Sequence, residues 1–94
     1  MIGPLAGWPW PTFGQLRAIL VGRIRCRIDP PPKNLIYKGP GQVTVFVRTA
    51  DDGTEFEWIA LHHDDELLSR SIVLNACRKL HITLEALALN DPVP

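Results

Sequence analysis

The most regular stretch of hydrophobic and polar positions lies mid-chain. Val43, Val45 and Val47 alternate with other residues, Asp52-Gly53 interrupts, and a second alternating run follows from Glu55 to Leu61. Period-two alternation on both sides of a turn dipeptide predicts a β-hairpin over 43–61. With Asp52 and Gly53 as the two turn centres, Arg48 faces Glu57, Val47 faces Trp58, Phe46 faces Ile59 and Val45 faces Ala60. The opposed charges of Arg48 and Glu57 favour that register. It assigns Val43, Val45, Val47, Phe56, Trp58 and Ala60 to the core face. Phe46, Ile59 and Leu61 then form an apolar patch on the far face, which a solvated sheet would not need.

Helical spacing flanks the hairpin. Thr12-Phe13-Gly14-Gln15 fits a capping box, and Phe13, Leu16, Ile19 and Leu20 make an apolar stripe that Gly22 can stop. Arg23-Ile24-Arg25-Cys26-Arg27-Ile28 then alternates, which predicts a strand with Arg23, Arg25 and Arg27 on one side. A further short strand is expected at Leu35-Ile36-Tyr37. After the hairpin, Asp64 is the expected N-cap of a helix from about Asp65 to Leu80. Its core arc holds Leu68, Ile72, Val73, Ala76, Cys77 and Leu80, and Leu67 and Leu74 form a second ridge. Thr83 is positioned to cap a last short helix, Leu84 to Leu89.

The expected fold is α+β, a small two-layer domain. Its antiparallel sheet has three or four strands including the 43–61 hairpin, packed with an N-terminal helix and a C-terminal helix pair. Residues 1–11 read as an extended arm, with Trp8 and Trp10 between prolines that bar a helix or a central strand. Residues 12–94 form the single domain.

Composition excludes several classes. Hydrophobic residues make up 46 % of the 94 and charged residues 21 %, too apolar for a disordered chain. Two cysteines, Cys26 and Cys77, sit in apolar patterns and read as buried free thiols, not a disulfide framework. Met1 to Gly14 lacks Lys and Arg and is broken by three prolines, unlike a secretory leader. No apolar run reaches the ~18–20 residues of a membrane span. The expected location is cytoplasmic, with no membrane partner. The net charge of zero hides an asymmetry. Residues 1–50 carry seven Lys/Arg and one acid (7 − 1 = +6), and residues 51–94 carry three against nine (3 − 9 = −6). In so small a domain the halves are expected to pair much of this charge internally.

The residues that resemble catalytic or ligand patterns are better explained by structural roles. His62-His63-Asp64-Asp65 has ligand-type residues, but neighbouring positions point apart, so no metal site is expected. Ser69 and Ser71 lie on no nucleophile elbow, and Cys77 has no activating base. Glu55 and Glu57 share a strand face and suit pairing with arginines better than acid–base work. Lys38-Gly39-Pro40-Gly41 lacks the spacing of a phosphate loop. No cofactor is expected and no catalytic residue is assigned.

What remains is apolar surface in excess of what one small core can bury. The residues concerned are Trp8, Trp10, Phe46, Ile59, Leu61, Leu67 and Leu74. They point to a small non-catalytic interaction or regulatory module acting as a homo-oligomer, with a homodimer or another protein as partner. On this basis Phe46→Glu or Leu74→Glu should break the assembly and leave a folded monomer. The alternative is a nucleic-acid-binding regulator that contacts phosphates through Arg23, Arg25 and Arg27.

Overall fold

A computed structural model describes residues 10–35 and 42–89. The element order is α1 (Phe13–Gly22), β1 (Arg27–Asp29), β2 (Gln42–Thr49), β3 (Glu55–His62), α2 (Arg70–Leu80) and a 3-10 turn at Glu85–Leu87. The strands make one antiparallel sheet in the order β1-β2-β3. The class is α+β. Leu35 is irregular, and the rest of the short strand expected at 35–37 lies outside the described residues, as does Trp8.

Helix α1 forms where its capping signal stands. The Gln15 amide donates to Thr12 Oγ1 at 3.2 Å, and the Thr12 amide donates to Gln15 Oε1 at 2.9 Å. Two otherwise orphaned donors are satisfied reciprocally. Thr12→Ala should therefore cost about 1 kcal/mol in a urea titration; an unchanged midpoint would contradict the capping role. Phe13, Leu16, Ile19 and Leu20 are the buried stripe.

The arginine strand does not form as expected. Arg23 is the C-cap of α1 in helical conformation, and Arg25 is left-handed at φ 69°. Only Arg27 enters a strand, and that strand has three residues. The helix end is closed by Arg23 N–H to Ile19 C=O, Ile24 N–H to Ile19 C=O and Cys26 N–H to Leu20 C=O. Those bonds consume the backbone groups that a strand from residue 23 would need. Arg25 is exposed in a conformation that disfavours a Cβ. Arg25→Gly should raise stability by about 0.5–1 kcal/mol, after the extra chain entropy of glycine in the unfolded state. A loss of stability on thermal unfolding would refute this account of the turn.

The hairpin is offset by one residue from the expected register. Arg48 faces Phe56, Val47 faces Glu57, Phe46 faces Trp58 and Val45 faces Ile59. The cause lies in the turn. A two-residue turn of the expected kind needs positive φ at both centres. Here Gly53 has φ 90°, and Asp52 is not among the residues with positive φ. The loop is longer, with Gly53 N–H to Ala50 C=O at 2.9 Å and Ala50 N–H to Thr54 C=O at 2.7 Å. The Asp52 carboxylate accepts from the Thr54 amide at 2.9 Å. That geometry is a turn over 50–53 followed by a glycine bulge.

A one-residue slip turns a strand over. β3 keeps its expected faces, with Trp58 and Ala60 in the core, but β2 is inverted. Phe46 faces the helices and is fully buried, so it is not part of a surface patch. Its ring stacks on Trp58 at 5.6 Å and meets Phe13 edge-on at 6.1 Å. Val43, Val45 and Val47 share the other face with Ile59 and Leu61. Val45 and Val47 are nonetheless buried.

Helix α2 starts five residues later than expected. Ser69 is its N-cap, accepting from the Ile72 amide. Residues 64–68 instead run beside the entry to α1. Gly14 N–H donates to Asp64 C=O at 2.7 Å, Phe13 N–H to Glu66 C=O at 2.9 Å and Leu68 N–H to Pro11 C=O at 3.1 Å. Gly14 suits that close approach, since a Cβ would sit 3.0 Å from the Asp64 carbonyl oxygen and the backbone would have to give. Leu67 bridges to Thr12 and therefore shares no helical ridge with Leu74. The last expected helix is only the 3-10 turn, although Thr83 does accept from the Ala86 amide. One core gathers the buried residues of both helices with Phe46, Trp58, Ala60, Leu68 and Leu87.

Candidate interaction surface

The sheet has two edges of different character. β1 has three residues and leads directly into Pro30-Pro31-Pro32, which cannot donate to a further strand. β3 has eight residues, with neither proline nor lysine. Among the described residues no strand lies on its outer side. Ladder parity shows where its backbone groups point. Ala50 and Thr54 are hydrogen-bonded at the hairpin end. Alternation then makes Arg48/Phe56, Phe46/Trp58 and Thr44/Ala60 the bonded pairs. The N–H and C=O groups of Glu57, Ile59 and Leu61 therefore face outward.

The side chains on that edge are apolar away from the turn. Ile59 is 38 % exposed and Leu61 40 %. Between β3 and α2 runs a groove of about 300 Å³ lined by Trp58, Ile59, Leu61, His62, Ser71, Ile72 and Asn75. Ile72 is half-buried against the core. The two rims contributed by α2, Ser71 and Asn75, carry no charge.

The other proposed contact residues are scattered. Trp10 is half-buried and packs on the core, Leu67 is exposed on the segment beside Thr12, and Leu74 is half-buried on α2. Among the described contact residues, only Ile59 and Leu61 come together with the groove. The groove itself was not legible in the sequence, because its α2 wall depends on where that helix begins.

Four arginines, Arg17, Arg23, Arg27 and Arg48, bond to groups elsewhere in the fold. Arg17 forms a bidentate pair with Asp64, and its guanidinium hydrogen bonds hold that carboxyl below its usual range. Arg23 donates to the carbonyls of Leu87 and Ala88 at 2.7 and 3.1 Å. Arg27 binds Asp29 and Glu55 and lowers both carboxyl pKa values through those bonds. Arg48 reaches the carbonyls of Leu80 and His81. Arg17–Asp64 and Arg27–Glu55 join the basic and acidic halves, as charge layout suggested. Arg23 ends α1, Arg25 is exposed in the turn that follows and Arg27 stands in β1, so the three do not share one strand face.

A second cleft, about 230 Å³, lies between Phe13, Arg17, Gln42, Thr44 and residues 62–65. His62 touches both clefts, with Nδ1 2.7 Å from Glu66 Oε2. Among the described residues no three His, Cys, Asp or Glu side chains cluster as a metal site. Cys26 and Cys77 are buried free thiols, and burial pushes both up. No described helix is long and apolar enough to cross a membrane. No family model, curated protein or solved structure matches the chain.

Proposed function

We propose that the chain is a small interaction module that docks a polypeptide strand along the outer edge of β3. The observation that carries this reading is the contrast between the two sheet edges. An exposed row of unpaired N–H and C=O groups is a template for another strand, and folds guard such edges with short strands, charged side chains, proline or bulges. The β1 edge is guarded in this way by its length and its prolines. The β3 edge is long, its two carboxylates Glu55 and Glu57 lie toward the turn, and beyond them it carries exposed Ile59 and Leu61 beside a groove whose α2 wall is uncharged. Main-chain hydrogen bonds would supply affinity, and the alternate side chains Ile59 and Leu61 would supply selectivity.

Amide hydrogen exchange tests it. In dilute protein the amides of Glu57, Ile59 and Leu61 should exchange orders of magnitude faster than those of Trp58 and Ala60, which bond to β2. Equal protection in a dilute monomer would mean the edge is already covered by the chain itself, and the docking reading would fall.

A further inference from the structure

We infer that the strand docked on β3 is β3 of a second copy, paired antiparallel about a twofold axis beside Ala60. This rests on the docking reading above and names its partner. The argument is self-complementarity. A C2 interface must match one surface to itself. Antiparallel pairing centred on Ala60 sets Ile59 opposite the partner's Leu61 and Leu61 opposite the partner's Ile59. Four exposed aliphatic side chains then cover one another. Glu57 falls past the end of the partner's β3, which stops at His62, so its carboxylate opposes no strand residue. Ile59 and Leu61 both have outward-facing backbone groups, so the two 59/61 pairs are hydrogen-bonded.

Neighbouring registers are poorer. Centring on Ile59 puts the Glu57 carboxylate against the partner's Leu61. Centring on Trp58 puts it against the partner's Ile59 and sets Leu61 against the partner's Glu55. On the helix side of the sheet, the Ala60-centred register brings the smallest side chain of the strand to the axis. The α2 residues along the groove, Ser71, Ile72 and Asn75, are uncharged, so the approach of two copies meets no like-charge repulsion there. The product is a continuous six-stranded sheet.

Cysteine cross-linking reads the register directly. Directly opposed bonded pairs have Cα atoms about 5.5 Å apart, within disulfide range, whereas positions offset by two residues lie beyond it. Ile59→Cys and Leu61→Cys proteins are oxidised mildly, separately and as a mixture, and run on non-reducing gels. The native Cys26 and Cys77 are buried, so the engineered thiols react first. The expected result is a covalent dimer in the mixture and little in either protein alone. A dimer from Ile59→Cys alone would overturn the Ala60-centred register. A chain that stays monomeric at every concentration, with the outer β3 amides exchanging fast throughout, would overturn the second copy as partner while leaving the docking edge intact.

Discussion

Phe46→Glu will unfold the chain. Phe46 is fully buried, stacked on Trp58 and in edge contact with Phe13. Truncating a buried phenylalanine costs about 3–5 kcal/mol. A glutamate there also places an unpaired carboxylate in the core, at a further cost of several kcal/mol. The whole stability of a small domain is about 5–15 kcal/mol, and one of this size sits toward the lower end. Far- and near-UV circular dichroism should show loss of both secondary and tertiary signal at room temperature. A two-residue hairpin turn would put Phe46 on the side of the sheet away from the helices, where the sequence leads one to expect a folded monomer from the same substitution. A cooperative thermal transition in Phe46→Glu would therefore restore that register and contradict the one described.

The second large effect is at Arg48. Its expected partner across the hairpin was Glu57. In the observed register it stands on the helix side of the sheet and closes the C-terminal end of α2. Nε donates to the Leu80 carbonyl at 2.6 Å and Nη2 to the His81 carbonyl at 3.1 Å. The guanidinium also lies 5.1 Å over the Phe56 ring, which stacks on His81 at 4.0 Å. Helix-end carbonyls lack intrahelical partners, and a cation there also favours the dipole. Arg48→Met keeps much of the aliphatic stem and removes both donors. The expected loss is about 2–3 kcal/mol, since bonds from charged donors are stronger and a partly buried carbonyl is left bare. For a chain of this length that is a fall in Tm of roughly 10–20 °C. A fall under ~2 °C would mean the carbonyls find water equally well.

The legible parts of the fold were those set by short-range chemistry. Thr12 and Gln15 cap one another three residues apart, so the start of α1 could be read from four letters. The alternation in β3 likewise gave the correct face for Trp58 and Ala60. The errors arose where distant residues decide. One φ angle at Asp52 separates a two-residue turn from a longer loop, and that choice inverts every side chain of β2. Asp64 looked like a helix cap because acids often are. In the fold its carbonyl serves Gly14 and its carboxylate serves Arg17, fifty and forty-seven residues back. The only hint was Gly14, a glycine inside a helical pattern, which marks a close approach. The arginine alternation after residue 23 failed because helix closure claimed the backbone first.

The candidate surface shows the same division. Ile59 and Leu61 stood out by hydropathy and remain exposed. Phe46 was grouped with them through the register and belongs to the core. The open edge itself has no sequence signature, because it depends on which strand ends the sheet.

The measurement that tests the account most directly is solution mass by light scattering over a concentration series, for the wild type and for Ile59→Lys/Leu61→Lys. Both substituted positions are exposed, so the variant should fold as the wild type does. Pairing through β3 predicts a wild-type mass that rises toward twice the 10.5 kDa of one chain and a variant that stays at one. A variant that dimerises as tightly as the wild type would place the contact elsewhere and contradict the account.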